Sequence, residues 1–278
     1  MRFSNLSYHH LRNEITKMKR TLITSEISDL PDELCPMLKG AKIYDSSCSK
    51  QARVYYIDKD NGYYLKSSPK GTLSTEAIMA NYYNELGLGA RVLSYLSYDR
   101  DWMLTERVVG EDCTHSTYLD DPRRLCDTIA ELLRGLHETD WSDCPIKNRT
   151  AAYLGVAAEN SRKGMFDTEL FTEKWSFPSA KAAWDFLQAN KHYLKNDTLL
   201  HGDYCLPNII LDNWRFSGFI DLGNGGVGDR HIDLFWGMWT LWFNLKTTAY
   251  SDRFFDAYGR DKTDPEILRI IAAAEVFG

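Results

Sequence analysis

The sequence contains no uninterrupted apolar run of about eighteen residues, the length that a helix needs to cross a bilayer. The first twenty residues, MRFSNLSYHHLRNEITKMKR, also lack the apolar segment of a secretory signal peptide. We therefore expect no membrane association and a cytoplasmic location. The hydrophobic content of 44% is nevertheless enough to form a substantial core.

An excess of positive charge is also absent. The 33 lysine and arginine residues are outnumbered by 39 aspartate and glutamate residues, which gives a formal net charge of −6. A protein that binds nucleic acid normally presents a basic surface, and this composition predicts none. The acidic balance favours a cationic small molecule as the partner.

Paired cysteines are missing too, because no two of them have the C-x-x-C spacing that is typical of a zinc site. A compact disulfide framework is not indicated either, so we expect reduced thiols. A nucleophilic role for Cys205 would need a base, and no histidine accompanies it in a recognisable catalytic pattern. The six cysteines are Cys35, Cys48, Cys113, Cys126, Cys144 and Cys205.

Residues 41–109 show the alternation of β-branched, aromatic and polar residues that is typical of strands. The pair Asn61-Gly62 predicts a tight reversal within an antiparallel meander of three strands. A helix is predicted from Ser74 or Thr75 to Gly87, followed by two more strands in RVLSYLSY and DWMLTERVV. Together these elements predict a five-stranded sheet with one main helix.

The chain after Gly110 is predicted to be mainly helical. Asp121-Pro122 is a typical helix start, and further helices are predicted at 179–191 and from Pro265 onward. We therefore divide the chain into a β-rich N-terminal lobe, 1–108, and a larger, mainly helical C-terminal lobe, 109–278. The helix that starts at Asp121-Pro122 carries an apolar stripe of Leu125, Ile129, Leu132, Leu133 and Leu136. Residues 1–30 form an extension of undetermined role.

A glycine run at 223–228 can be read as G-x-G-x-x-G, the dinucleotide-binding fingerprint. That fingerprint requires a strand before it, a phosphate-binding helix after it and a second parallel strand. Here the strand GFIDL is followed by the aromatic helix DRHIDLFWGMWTLWF, and no further parallel strand is predicted. The run is therefore a poor candidate for a nicotinamide or flavin site.

The polar residues around this run fit phosphoryl transfer better. His201-Gly202-Asp203 is followed by Asn208 five residues after the aspartate, which is the spacing of the kinase catalytic loop H-R-D-x-x-x-x-N. Asp221-Leu222-Gly223 stands where a kinase has D-F-G, whose aspartate binds Mg²⁺. Two strands joined by a short turn would bring Asp203, Asn208 and Asp221 together. Each residue alone could also be an ordinary turn residue.

The predicted N-terminal lobe contains a matching pair, Lys66 at the end of the strand GYYLK and Glu76 in the first turn of the next helix. In kinases a strand lysine paired with a helix glutamate binds the α- and β-phosphates. A surface salt bridge is the alternative interpretation of the pair. Lys70 is a weaker candidate for the same role because it lies in a predicted loop.

The segments HGDYCLPNIILD and IDLGNGGVGDRHIDL, in this order after YLKSSPKGTLSTEAIMANYYNELGLGARVLSYLSYDRDWMLTERVVGED, resemble the bacterial aminoglycoside 3'-phosphotransferase family. The likeness covers residues 30–278 and includes the chain end AAAEVFG. It implies an α+β, two-lobed fold like that of protein kinases.

The resemblance also implies roles for individual residues. Asp203 would be the catalytic carboxylate, and Asn208 and Asp221 would hold Mg²⁺. Lys66, supported by Glu76, would bind the phosphates. The nucleotide, ATP or alternatively GTP, would further contact the strand at Thr105 to Arg107 and a serine-containing turn at Ser46, Ser47 and Ser49. Asp229 and Asp233 would brace the catalytic loop.

The sequence departs from the family pattern in the acceptor region. Glu169, Glu173 and Glu275 are candidates for the acidic wall that binds a polycationic drug, but Ala274 replaces an aspartate of that wall. Asn224 replaces an arginine that many members carry after Asp-Leu-Gly, so one cation near the phosphates is expected to be missing. Trp236, Trp239 and Trp242 share a helix face, and they either pack in the core or form an aromatic wall for a sugar or a quaternary amine.

The function predicted first is ATP- and Mg²⁺-dependent phosphorylation of a hydroxyl group on a small, polar, cationic molecule, with aminoglycosides as the leading acceptors. The same chemistry on a choline-like alcohol, an amino-acid alcohol or another sugar is the alternative. A weakly catalytic nucleotide-binding regulator is the third hypothesis. The sequence indicates no oligomeric state.

Overall fold

The structure, a computed structural model, describes residues 20–24, 27–47, 52–167 and 175–278. The chain forms two compact units. One, the sheet unit, contains the described residues up to Asp112 together with Asn208–Gly223; the other, the helical unit, contains Cys113–Pro207 and Asn224–Gly278. Asn208–Gly223 thus joins the sheet unit, although the predicted division at residue 108 assigns it to the C-terminal lobe. The functional lobe boundary stays a prediction.

The sheet unit is built on a six-stranded antiparallel sheet with the strand order β1-β2-β3-β4-β6-β5. The prediction of five strands was wrong, because it missed the edge strand β1. The two residues of β1 are too few to show a period. The elements are β1 (Thr21–Leu22), α1 (Cys35–Leu38), β2 (Lys42–Asp45), β3 (Arg53–Asp58), β4 (Tyr63–Pro69), α2 (Ser74–Glu85), β5 (Val92–Ser97) and β6 (Arg100–Glu106).

The reversal predicted at Asn61-Gly62 joins β3 to β4, with Ile57 paired to Tyr63. Gly62 has a φ of +91°, and a side chain there would approach the Tyr56 ring to 2.9 Å. One face of the sheet packs against the segment that contains α1. The core on that face consists of Leu34, Leu38, Ile57, Leu65, Trp102 and Leu104.

A hairpin of β9 (Ile209–Asp212) and β10 (Arg215–Phe219) returns to the sheet unit after the long helical segment. Asn213 and Trp214 at its turn both have positive φ, as a tight two-residue hairpin loop requires. The short strand β7 (Glu111–Asp112) pairs with β9, and Phe219 forms a parallel bridge with Gly89. The hairpin thereby anchors the Asp221 segment in the sheet unit.

The helical unit confirms the predicted helices and the predicted cap at Asp121, and it adds a cap at Ser179. Asp121 accepts a hydrogen bond from the Arg124 amide, and Ser179 accepts one from the Ala182 amide. The α4 stripe is buried except for Leu132, which is half-buried. The elements are α3 (Ser116–Leu119), α4 (Pro122–His137), α5 (Arg149–Arg162), α6 (Ala180–Asn190), β8 (Thr198–Leu200), β11 (Gly226–Gly228), α7 (His231–Leu245), α8 (Ser251–Tyr258) and α9 (Pro265–Glu275).

The tryptophans of α7 pack closely on one another. Trp236 and Trp239 are buried and Trp242 is half-buried, while the Trp239 ring stacks on Phe243 at 4.9 Å. This burial supports the packing interpretation for the first two.

None of the helices in the described ranges is long and apolar enough to span a bilayer. The five cysteines within those ranges are free thiols, as predicted, and Cys48 lies outside them.

Candidate functional site

The sheet unit brings three of the predicted site residues together. Lys66 lies on β4, and its Nζ is 2.9 and 2.7 Å from the two carboxylate oxygens of Glu76 in the first turn of α2. The same ammonium is 2.8 Å from Oδ1 of Asp221. The side chains of Lys66 and Glu76 are only 19% and 9% exposed, so the pair is not an ordinary surface salt bridge.

The pKa values of Lys66 and Glu76 depend on their burial and on the charges around them. Burial alone lowers the pKa of Lys66, but the charges and hydrogen bonds of Asp221 and Glu76 outweigh burial and raise it. Burial raises the pKa of Glu76, and the Lys66 ammonium opposes that rise. Lys66 therefore remains a cation over the physiological pH range and offers a fixed positive charge to an anionic ligand.

Asn208 and Asp221, the two predicted metal ligands, lie at the same end of the returning hairpin. The Ile220 amide donates to the Asn208 carbonyl at 3.1 Å, which connects the backbones beside the two residues. Asp221 has a φ of +61°, an unusual conformation for a non-glycine residue that is often found at functional sites. An amide oxygen and a carboxylate are hard ligands of the kind that Mg²⁺ prefers.

The helical unit holds the predicted catalytic loop through one buried carboxylate. Asp233, at the start of α7, accepts hydrogen bonds from the backbone amides of His201 and Gly202, each at 2.7 Å. The Asp203 amide in turn donates to His201 Nδ1 at 3.2 Å. Asp233 is fully buried, and the prediction that it braces this loop is confirmed.

Asp229 has a different set of partners. It accepts hydrogen bonds from the backbone amides of Lys195 and His231 and lies 2.7 Å from His231 Nδ1. These contacts hold the segment before β8 and the start of α7. Asp229 thus supports the surroundings of the loop, while Asp233 binds the loop itself.

His137 is a packed residue, and it supports Asp233. Its Nε2 lies 3.2 Å from Asp233 Oδ2, and its Nδ1 lies 2.8 Å from the Tyr258 hydroxyl. Burial lowers the pKa of His137, so the ring is neutral and the contact with Asp233 is a hydrogen bond.

Gly202 allows the loop to press against a second segment of the helical unit. Its φ is +83°, and a Cβ at this position would lie 1.8 Å from the Asn224 carbonyl oxygen. No side chain fits at such a distance, so glycine is required both for conformation and for space. Asp203 therefore lies between two backbone contacts. Gly202 before it touches Asn224, and the Cys205 amide after it donates a hydrogen bond to the Asp203 carbonyl.

The remaining predicted nucleotide contacts are built into the sheet unit. The Ser46 amide donates to the Val54 carbonyl, and Ser47 Oγ accepts from the Val54 amide. Thr105 pairs across the strands with Tyr64, and the Arg107 amide donates to the Gly62 carbonyl. Ser49 lies outside the described residues. The roles of these residues in nucleotide binding stay predictions.

Tyr64 is a candidate that the sequence reasoning missed. It precedes Lys66 by two residues on β4, so the two side chains project from the same face of the sheet. Its ring lies 5.4 Å from the Tyr56 ring, and its hydroxyl accepts a hydrogen bond from Arg20. The strand period of two, applied to the predicted strand GYYLK, would have identified it.

The predicted acidic wall is only partly within the described residues. Glu169 and Glu173 lie outside them. Glu275 is buried, and its Oε1 accepts hydrogen bonds from the Tyr153 hydroxyl at 2.8 Å and from Trp236 Nε1 at 3.0 Å. Burial raises the pKa of Glu275 to about 7, against the lowering effect of these two donors. A carboxyl group with this pKa carries only part of its negative charge near neutral pH, and its role in binding an acceptor stays a prediction.

Comparison with known proteins places the chain among phosphotransferases. Residues 50–271 match the phosphotransferase enzyme family. A probable aminoglycoside 3'-phosphotransferase of Lactococcus lactis subsp. lactis (strain IL1403) is 48% identical over 265 residues, which cover 95% of this chain and 100% of the relative. An aminoglycoside 3'-phosphotransferase of Streptomyces fradiae is 31% identical over 187 residues, covering 63% of this chain and 68% of the relative.

Solved structures confirm the predicted α+β, protein-kinase-like fold. The crystal structure of an aminoglycoside 3'-phosphotransferase of type VIII has a TM-score of 0.72 at 23% identity, covering 88% of this chain and 97% of that one. An aminoglycoside phosphotransferase of Streptomyces rimosus, in complex with ADP and streptomycin, has a TM-score of 0.63 at 20% identity, covering 95% and 96%. The family match over most of the chain and the 48% identity to a relative covered over its whole length lead to one conclusion: the chain belongs to the aminoglycoside 3'-phosphotransferase family of kinase-like phosphotransferase enzymes.

Proposed function

We propose that this protein transfers the γ-phosphoryl group of ATP, bound with Mg²⁺, to a hydroxyl group of an aminoglycoside. The observation that carries the proposal is the contact of Lys66 with both Glu76 and Asp221 in one compact unit. A phosphate-binding lysine next to a metal-binding carboxylate is the arrangement that kinases use for nucleotide phosphates. The names of the relatives support the acceptor class.

The sheet unit would bind the nucleotide. Lys66 would donate to the phosphate oxygens, with Glu76 keeping its ammonium in place, and Asn208 and Asp221 would hold the metal. When bound, Mg²⁺ neutralises charge on the phosphates. In the described ranges no group of three or more histidine, cysteine, aspartate or glutamate side chains is placed to hold a metal. This agrees with Mg²⁺, which usually takes one or two carboxylates and completes its shell with phosphate and water.

Tyr64 and Thr105 face each other across two paired strands next to Lys66, and we assign this region to the nucleotide base. An aromatic ring provides a flat surface for stacking a purine. Structures of the fold with ADP and with AMP-PNP support an adenine nucleotide, and GTP remains the alternative. A reaction that consumes ATP agrees with the expected cytoplasmic location.

The helical unit would handle the acceptor. Asp203 would accept a hydrogen bond from the acceptor hydroxyl and then its proton, which is the role of the catalytic-loop aspartate in kinases. The loose transition state of phosphoryl transfer places little demand on early deprotonation, so orientation is the main contribution of this carboxylate. Asp233, His137 and the approach of Gly202 to Asn224 hold the loop in a single conformation.

Phosphorylation of purified protein with ATP, Mg²⁺ and a panel of aminoglycosides tests this proposal. We expect acceptor-dependent ADP release and a product that carries one added phosphoryl group by mass spectrometry. Asp203→Asn should abolish transfer, whereas Asp212→Asn, an exposed aspartate at the end of β9, should leave it unchanged. Full turnover in the Asp203→Asn variant would remove this residue from the proposed role.

A different acceptor for the same chemistry is the second candidate. It is favoured by Glu275, whose carboxyl is buried among Tyr153 and Trp236, and by Ala274, which is also buried. An acceptor with fewer positive charges would suit such a region better than a polycation. Choline, amino-acid alcohols and neutral sugars belong in the same panel, and turnover of one of them without turnover of any aminoglycoside would favour this candidate.

A further inference from the structure

Arg149, the first residue of α5, lies in an unusual position for an arginine. Its Nη2 donates to the Asn224 side-chain oxygen at 2.5 Å, and its side chain is half-buried. Burial lowers the pKa of Arg149, while the charge of Asp233 opposes that effect. Since the pKa of an arginine side chain lies far above the physiological pH range, the guanidinium stays positive, and this cation is partly withdrawn from water.

The partner of Arg149 touches the catalytic loop. Asn224 follows Leu222-Gly223 in a short 3-10 turn, and its backbone is in close contact with Gly202. The next residue after Gly202 is Asp203. Asp233 separately accepts the hydrogen bonds of the His201 and Gly202 amides. Arg149 therefore reaches the loop through Asn224.

The sequence suggested that Asn224 leaves the phosphate region one cation short. A guanidinium does lie at Asn224 in the structure, and it comes from position 149, 75 residues earlier in the chain. The asparagine supplies the acceptor oxygen that holds it there. An arginine at position 224 would place a second positive charge beside Arg149, so the two residues form a matched pair.

We propose that Arg149 is a positioning residue for phosphoryl transfer: it fixes Asn224 and, through Asn224, the Gly202-Asp203 segment. The inference rests on the proposed function for its kinetic consequences, and it has a structural consequence that does not. Without the guanidinium, Asn224 loses a charge-assisted hydrogen bond and the Asp203 loop loses one of its supports. Misplacement of a catalytic group by a fraction of an ångström reduces the rate more than the binding of substrate.

The kinetic test compares Arg149→Ala with Arg162→Ala, a matched control at the other end of the same helix α5, where the side chain is exposed. We expect Arg149→Ala to lower kcat by about 10- to 100-fold with little change in the KM for ATP. Arg149→Lys should recover part of the loss because it keeps the charge, and added guanidinium ion should partly rescue Arg149→Ala. Equal kcat values for Arg149→Ala and the control would overturn the proposal.

Hydrogen exchange separates this inference from the proposed function. The amides of residues 201–205 and 222–226 should exchange faster in Arg149→Ala than in Arg162→Ala, whether or not an acceptor is turned over. Inactivity of the wild-type protein on every acceptor would contradict the proposed function alone. Unchanged exchange in these segments, at equal thermal stability, would contradict the positioning role.

Discussion

Lys66 and Asp221 are 155 positions apart in the chain, and the Lys66 ammonium lies 2.8 Å from the Asp221 carboxylate. The β9–β10 hairpin makes this possible, because it returns to the sheet unit through its bridge to Gly89 and its pairing with β7. A cation is thus placed beside a carboxylate that could bind a metal. Phosphates bridged by Mg²⁺ require both kinds of group.

Lys66→Met should lower kcat/KM by about 100-fold or more, since one preorganised charge that faces the phosphates is removed. The change also leaves Glu76 and Asp221 without their shared cation. Steady-state kinetics with ATP as the varied substrate measure the loss. Lys70→Met is the control, because Lys70 is exposed just after β4 and should not matter. Equal losses in the two variants would contradict the assignment of Lys66.

Gly202→Ala should destabilise the protein by about 3 kcal/mol or more, because the φ of +83° is strained for alanine and the new Cβ would overlap the Asn224 carbonyl. Urea unfolding measures the change. Gly135→Ala is the matched control: Gly135 lies within α4 with nothing within 4 Å of a new Cβ. It should stabilise by roughly 0.5–1 kcal/mol, as alanine does in helices. Similar values for the two variants would refute the close approach.

Asp233→Asn should destabilise by roughly 3 kcal/mol, since an amide has one acceptor oxygen where the carboxylate accepts from two backbone amides and lies beside His137. Thermal and urea unfolding measure the loss. Asp185→Asn, which removes an exposed charge that pairs with Lys181, should change the free energy of unfolding by less than about 0.5 kcal/mol. A variant at position 233 as stable as this control would show that the loop does not depend on the carboxylate.

Glu275 should make stability fall as the pH rises. Its pKa is raised from 4.5 to about 7 in the folded protein, so the unfolded chain releases the proton first. Below pH 4.5 the protonated Glu275 carboxyl contributes about 3 kcal/mol to the free energy of unfolding. This contribution is lost as the pH rises through about 7. The glutamine in Glu275→Gln cannot ionise, so the stability of that variant should not fall in this way as the pH rises.

The measurement for Glu275 is the free energy of unfolding of the wild-type protein and of Glu275→Gln at several pH values between 4 and 8. The wild type should lose stability relative to the variant across this range. Two parallel curves would show that Glu275 titrates normally in the folded protein.

The sequence predicted local features well because they depend on neighbouring residues. The reversal at Gly62, the cap at Asp121 and the strand that carries Lys66 all follow from residue type and short-range spacing. The strand β1 was missed because two residues have no period. Tyr64 was missed as a site candidate because the strand pattern was not carried from Lys66 to the preceding position on the same face.

Other features could not be predicted from any local pattern. One of them is that Glu275 is buried and accepts hydrogen bonds from Tyr153 and Trp236. The burial of a side chain depends on which helices cover it, and those helices are far apart in the chain.

The sequence by itself determined the longer strands of the six-stranded sheet, most of the long helices, the spacing of Asp203 from Asn208 and the residues able to serve as phosphate and metal ligands, because these are properties of residue type and of short-range order. Only the tertiary structure decided that Lys66 meets Asp221 and that Arg149 meets Asn224. Such contacts join residues 155 and 75 positions apart. They exist only once the hairpin and helix α5 have packed, since packing alone removes their charges from water and holds them within hydrogen-bonding distance.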